Sequence, residues 1–373
     1  MKSSMHLAAA SRLFASTMTS CFFKHDRQIR LYAAWMGVLA ALNIFGLATA
    51  SAGEVLRILA WDGYADPEVV AIFQQRTGVS VEVTYVTSDD DLWNKLARNQ
   101  GRDFDVFAVN TAELQRYIDQ GLSVPVDMAY IGNRARQLPR FRDYPAIAGI
   151  VRDGKTYAVP YTYSAMGLIY NRKLVKIPPR SIATLWAPEY RGRVLAYNTS
   201  NHNFSLAGLR MGVKNTFRMS PGELHAAARQ LVDLRRNVLG FYTTLEESVD
   251  LFQRHNIAIV FANFGTQQVK ALRDAGADIG YVMPREGALA WLDCWAVSSG
   301  ANNRRLAERW IDFTLEQPIS ARLTTRHGLA NTVTVFPDSQ PKDKVIWLEP
   351  IENPSRRLAW WNQVLSGTSA KEL

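Results

Sequence analysis

Cysteine is nearly missing from this sequence: its 373 residues contain two, Cys21 and Cys294. Cys21 lies in a segment whose pattern predicts removal, so the remainder cannot form an internal disulfide and a disulfide-stapled scaffold is excluded. Cys294, between Asp293 and Trp295, reads as a small buried hydrophobe. Histidine is sparse as well. The six, at 6, 25, 202, 225, 255 and 327, show no zinc spacing, and there is no Gly-x-Ser-x-Gly elbow. No metal or cofactor is expected, and no enzymatic activity. Low-complexity tracts and fixed-period repeats are lacking, which removes disorder and solenoids. Charge of one sign is also weak. Five basic residues (Lys2, Arg12, Lys24, Arg27, Arg30) and one acid (Asp26) precede Gly53, so that segment carries +4 of the formal +9 and the rest +5. The remaining Lys and Arg are scattered or in short pairs such as Arg235-Arg236, which suit solvated helix faces, and no nucleic-acid partner is expected.

One nucleotide-binding expression does occur. Gly149 to Thr156, with Gly154-Lys155-Thr156 at its end, matches a P-loop letter for letter. A P-loop must open into a helix whose amides cradle phosphate, whereas Tyr157-Ala-Val-Pro160-Tyr161 is extended and carries a proline. Asp153-Gly154 is expected instead to turn a β-hairpin.

The length exceeds what one core fills efficiently, so two lobes are expected. Leu31 to Ala50 is apolar apart from Asn43, follows Lys24, Arg27 and Arg30, and leads to Ala50-Ser51-Ala52. That order reads as a secretory signal over residues 1–52, cleaved after Ala52, with export to the periplasm; an uncleaved anchor is the competing reading, since about 20 apolar residues suffice to span a bilayer. Beyond it, strand and helix alternate. Val55 to Ala60 suits a buried strand, Asp66-Pro67 opens a helix stopped by Gly78, and Val79 to Tyr85 alternates as a second strand. A helix from Asp89 to Asn99, a strand from Phe104 to Val109 and a helix from Thr111 to Gln120 follow. This is an α/β pattern with a parallel sheet, whose ligand crevice lies beyond the carboxyl ends of the strands. Trp61, Asp62, Tyr64 and Asn110 fall there; their plainer reading is a turn at Asp62-Gly63 and a helix-opening residue at Asn110. Ser220 with Glu223, and Thr244 with Glu247, predict capping boxes in a second α/β lobe. Strands are expected at Ile257 to Ala262 and Asp278 to Met283, and helices from Asn302 onward and after Pro354.

Trp291-Leu292-Asp293 lies inside an apolar strand, Leu289 to Val297, where an unpaired carboxylate costs several kcal/mol to bury. By the two-residue period, Trp291, Asp293 and Trp295 share one face. A carboxylate between aromatic rings makes an amine site, with cation–π attraction of about 0.5–2 kcal/mol added to the counter-charge. The alternative is an internal Arg or Lys paired with Asp293.

Taken in order, several segments resemble the spermidine/putrescine-binding proteins of bacterial ABC importers. They are Ala60-Trp61-Asp62-Gly63-Tyr64, Asp105-Val106-Phe107, Tyr157-Ala-Val-Pro160-Tyr161, Leu185-Trp186-Ala187-Pro188-Glu189-Tyr190-Arg191-Gly192, and Met283-Pro284-Arg285-Glu286-Gly287 leading to Trp291-x-Asp293. The resemblance implies the two-lobe periplasmic binding protein fold, with hinge strands and a ligand cleft between the lobes. It implies crossings near Tyr163, Ala290 and Phe336, one lobe of residues 53–162 plus 291–335, and another of 163–290 plus 336–373. It further implies a monomer that captures a small amine ligand and delivers it to an ABC permease and ATPase in the inner membrane. Ligand contacts carried over are Trp61, Tyr64, Asn110, Phe261, Trp291 and Asp293, with Asp293 holding an ammonium group; Asp62 at the first strand's end, and Thr199 and His202 in the second lobe, are further candidate contacts. Two departures matter. The family's second-lobe carboxylates fall at Thr199 and His202, and an aromatic after the third strand is replaced by Ala112. A single-amine amino-acid derivative therefore stands as an alternative ligand, and a periplasmic sensor for a membrane receptor as an alternative role.

Overall fold

Strand β1, Val55–Trp61, is apolar except for Arg57, and its Leu56, Ile58, Leu59 and Ala60 are fully buried, as a strand covered on both faces requires. Arg57 is tolerated because Asp105 faces it: the carboxylate accepts from the Arg57 backbone N–H (2.8 Å), Nε (3.0 Å) and Nη2 (2.8 Å), and from Asn302 N–H (2.7 Å). The Asp105 motif is thus a structural lock, since a buried charge is stable only when paired and hydrogen-bonded. The computed structural model describes residues 54–335 and 344–369. The apolar run 31–50, the small-residue site at Ala52 and the crossing expected near Phe336 lie outside the described residues.

The other strands are β2 (Ser80–Val86), β3 (Val106–Asn110), β4 (Ser123–Val124), β5 (Val151–Arg152), β6 (Lys155–Thr156), β7 (Ala158–Met166) and β8 (Leu168–Asn171). They continue as β9 (Val194–Tyr197), β10 (Val238–Tyr242), β11 (Ile259–Phe261), β12 (Ile279–Val282), β13 (Ala288–Ser298), β14 (Ala330–Asn331) and β15 (Val345–Trp347). The first sheet runs β14-β7-β13-β3-β1-β2, with β4 and β15 also on β13; the second runs β10-β9-β11-β8-β12. Both contain the same device. Three parallel strands lie in the order second-first-third (β2-β1-β3 and β10-β9-β11), and an antiparallel strand follows the third (β13 and β8). In each sheet the order reverses at the first strand, so a crevice opens beyond the carboxyl ends. Two α/β lobes, as expected from length and pattern, result.

Local signals hold closely. Asp66 accepts from Glu68 N–H to start helix Pro67–Thr77, and Gly78 ends it at φ +73°. Ser88 caps helix Asp89–Ala97, and Asn110 caps Thr111–Asp119. Ser220 and Glu223 form both bonds of a capping box. At Thr244 the hydroxyl accepts from Glu247 N–H, but the Glu247 carboxylate turns to Thr243, so that box closes one residue early. The P-loop lookalike is a hairpin: β5 pairs antiparallel with β6 around Asp153 and Gly154 at φ +51° and +71°.

The chain passes from the first sheet to the second at Gly167, between β7 and β8, and returns between Val282 and Ala288. After β15, helix Pro354–Ser366 packs on the second lobe, where Trp361 Nε1 donates to Asn198 Oδ1 (2.9 Å) and Arg235 donates to the Val364 carbonyl (2.6 Å). Among the described residues, no helix is long and apolar enough to cross a membrane.

The loop after β11 meets strand β7 of the first sheet at Gly265, which precedes helix Thr266–Asp274 and has φ +54°. A Cβ there would stand 1.9 Å from Ser164 Oγ and 2.7 Å from the Ala165 carbonyl on β7. Ser164 Oγ meanwhile accepts from Thr266 N–H at 3.0 Å. Gly265→Ala is therefore expected to destabilise the protein by about 1–3 kcal/mol, through backbone strain and displacement of Ser164. A urea titration checks this, and an unchanged midpoint refutes the close approach.

Candidate ligand-binding site

β13 runs between β3 and β7, so Asp293 lies opposite Asn110 on one side and Thr162 on the other. It is 6% exposed. Its partner is the Tyr64 hydroxyl, which donates to Oδ2. Tyr64 is itself buried, edge-on to Tyr161 at 5.9 Å, and accepts through its carbonyl from the Tyr161 hydroxyl at 3.0 Å. Burial and the adjacent carboxylate hold the Tyr64 phenol well above its ordinary pKa, so it stays a donor. No Lys or Arg pairs with Asp293 among the described residues, and the internal cation weighed above is not what stabilises it. Burial pushes its pKa up to about 7, against the opposing pull of the Tyr64 bond.

Trp291, on the same face, donates from Nε1 to the Asn263 carbonyl at 3.1 Å. That bond joins β13 to the loop after β11 and so links the lobes. Trp295 does not join them. It shares the face by alternation, but the strand has by then passed under helix Arg304–Thr314, and the indole is fully buried against Tyr161 (5.2 Å) and Trp310 (6.0 Å). Trp61 ends β1 half-buried, with its Nε1 enclosed and unpartnered. Asp62 is exposed at the turn. Cys294 is buried, and burial lifts its thiol pKa well above the usual value, followed by the charge of Asp293; it is an inert packing residue.

On the second lobe, Thr199 opens helix Ser200–Met211 without a side-chain capping bond. His202, half-buried over Tyr197, places Nδ1 2.7 Å from Asn263 Oδ1. An amide oxygen only accepts, so Nδ1 carries the proton. Burial, with the Arg357 charge beneath, holds the imidazole below its ordinary pKa, and the neutral ring leaves Nε2 as an acceptor. Arg357 is fully buried: it pairs with Glu352 (2.7 and 3.0 Å) and donates to the Asn201 carbonyl (3.1 Å) and Ser205 Oγ (2.9 Å), fixing the turn that carries His202. Phe261, expected at the cleft, is not brought to it. Its side chain lies on the core face of the short strand β11, fully buried, while its carbonyl accepts from the Tyr242 hydroxyl at 2.6 Å.

A cavity of about 30 Å³ lies between the lobes, room for a water or two. Asn110 and His202 line it, together with residues the sequence reading passed over: Asp89, Glu113 and Glu349. Asn110 serves twice, its Oδ1 capping Glu113 N–H and its Nδ2 donating to Asp89 Oδ1, both at 3.0 Å. Burial, and then the charges of Glu113, Asp293 and Asp90, push the Asp89 pKa well up. The available signal was the run Ser88-Asp89-Asp90-Asp91 after β2, at the same carboxyl ends that nominated Trp61 and Asn110. No group of three side chains suited to a metal ion occurs among the described residues. What the arrangement does chemically is bind: a desolvated carboxylate without a cation attracts one.

Residues 68–350 match the family described as bacterial extracellular solute-binding protein. The chain is 23% identical over 326 residues to the spermidine/putrescine-binding periplasmic protein of Salmonella typhimurium, covering 83% of this chain and 90% of that one. It is 26% identical over 272 residues to the norspermidine sensor of Vibrio cholerae, covering 71% of each. A solved structure, a putative spermidine/putrescine ABC transporter from Listeria monocytogenes, superposes with a TM-score of 0.72 at 20% identity, over 85% of this chain and 99% of that one. That agreement is in fold, and it is the two-lobe fold expected from the sequence.

The raised Asp293 pKa carries a stability consequence. A group whose folded pKa lies above its unfolded value stabilises fully below the unfolded pKa, and that stability is lost as pH rises through the folded one, here about 7. Without ligand, Asp293→Asn is therefore expected to raise Tm at pH 8 and to raise it clearly less at pH 5, part-way between the unfolded and folded pKa values. Scanning calorimetry at both pH values decides this; equal or lower Tm at pH 8 means the carboxylate is not desolvated.

Proposed function

This chain belongs to the bacterial extracellular solute-binding proteins, and from that premise we propose that it captures an amine-bearing small solute of the polyamine class and delivers it to an ABC importer. The observation that carries this reading is Asp293: buried, without a cation of its own, held by Tyr64 and flanked by Trp291. An ammonium group supplies the missing charge, and an aromatic face adds cation–π attraction. The names of the relatives support the polyamine class. Capture proceeds by hinge closure at the crossing strands, with residues 53–162 plus 291–335 as one lobe and 163–290 plus 336–373 as the other; the change of sheet at Gly167 and between Val282 and Ala288 supports that division. The protein acts as a monomer, with no covalent chemistry and no nucleic acid. It works in the periplasm, after removal of residues 1–52, and docks on a permease with its ATPase. The likeness to a norspermidine sensor favours one second reading, in which the closed form signals to a membrane receptor; uptake that persists after gene deletion would select it.

Calorimetric titration of the purified protein, stripped of carried-over ligand by unfolding and refolding, with putrescine and spermidine is expected to give micromolar or tighter binding. Asp293→Asn is expected to weaken it by about 1.5–3 kcal/mol, the scale of a charge-assisted hydrogen bond, and Trp61→Ala to weaken it as well; unchanged affinity removes either residue from the site. Affinity should also rise with pH, by about tenfold per unit below pH 7, because an ammonium ion binds the carboxylate and must displace its proton. A flat profile between pH 5.5 and 7 refutes Asp293 as the anchor.

A further inference from the structure

Resting on the amine-receptor reading, we propose that Asp89 is a second ammonium anchor, so that this cleft selects a short diamine and reads both of its charges on the first lobe. Three observations lead there. Asp293 and Asn110 are directly opposed on adjacent strands, so their side chains leave the same face of the sheet, and Asn110 Nδ2 holds Asp89 Oδ1 at 3.0 Å. The two carboxylates are thus separated by one asparagine side chain. Second, Asp293 is nine-tenths buried and has no cation among the described residues, Tyr64 holds only its Oδ2, and its strand neighbour Asn110 is the residue that reaches the cavity wall. Third, the cavity's lining contains three acids, Asp89, Glu113 and Glu349, and no Lys or Arg, while His202 presents a neutral acceptor from the other side.

The base whose charge acts on Asp89 is Arg116, 3.5 Å from Glu113, and its guanidinium lies over the Trp93 ring at 3.8 Å. Its charge tempers both Glu113 and Asp89, yet among the described residues Asp89 forms no ion pair. A monoamine would engage Asp293 alone and leave Asp89 without a cation. A second ammonium a few methylenes away neutralises both, with His202 Nε2 as a further acceptor. The carboxylates that the resemblance assigned to the second lobe at Thr199 and His202 are thereby replaced from the first lobe. The device differs in geometry: a ligand held at both ends by one lobe needs the second lobe mainly to cover it.

The test is calorimetric titration of wild type and Asp89→Asn with putrescine, n-butylamine and 4-aminobutyrate at pH 7.5. Asn keeps an acceptor for Asn110 Nδ2, so the site's scaffold survives the substitution. Wild type is expected to prefer putrescine over butylamine by about tenfold or more, and Asp89→Asn to lose that preference while holding butylamine within about twofold. A preference that survives in Asp89→Asn overturns the proposal, as does an equal loss for both amines or tighter binding of 4-aminobutyrate than of putrescine. If wild type binds butylamine and putrescine equally, the second anchor fails and the amine-receptor reading stands. If the folded wild type binds no amine at all, both fail.

Discussion

The structure is organised around a carboxylate in the wrong solvent. Asp293 sits in a strand buried along its whole length, and no base among the described residues neutralises it. Only the Tyr64 hydroxyl and the strand pairing with Asn110 and Thr162 hold it in place. A protein that wanted stability alone would place an apolar residue there, since desolvating an unpaired charge is costly. Retaining it makes sense where a cation arrives from outside, and the raised pKa near 7 is the signature of that unmet charge.

Topology explains why such a carboxylate can be open to a ligand at all. Each sheet repeats the order second-first-third with an antiparallel strand after the third, so each lobe opens its loops at the carboxyl ends of three parallel strands. From one lobe these loops bring Trp61, Asp89 and Asn110; from the other they bring His202 and Asn263. Asn263 ties the halves together, accepting from Trp291 through its carbonyl and from His202 through its side chain. Gly265 lies two residues on, where only a glycine admits Ser164 so closely.

The two walls differ in charge for reasons traceable to separate neighbourhoods. The first-lobe wall carries Asp89 and Glu113, with Asp293 beside Asn110 on the same sheet face, and Arg116 lies over Trp93 within 3.5 Å of Glu113. Across from it stand Glu349, on the segment between β15 and the last helix, and His202. His202 is kept uncharged by burial and by Arg357, whose own charge is taken up by Glu352 and by the Asn201 and Thr216 carbonyls.

What the amino-acid sequence determined by itself was everything governed by short range. Alternation and caps placed the strands and helices, with ends moved by a residue or two, and the proline in Val159-Pro160-Tyr161 already denied the P-loop lookalike its helix. The sequence also exposed Asp293 as the charge that does not belong in its strand, and Trp61, Tyr64 and Asn110 as strand-end residues. Tertiary structure decided what neutralises or surrounds those residues. Tyr64 and Asp293 are 229 positions apart, and nothing local announces their bond. Trp295 shares the face of Asp293 by period, yet helix Arg304–Thr314 covers it; Phe261 ends a strand, yet faces the core. Asp89 looked like one acid among three in a helix's first turn until Asn110, from the next strand, turned it toward the cleft. The division has a physical cause: periodicity and capping act over a few residues, whereas burial and the electrostatic field at a site are set by whichever distant segments the fold packs around it.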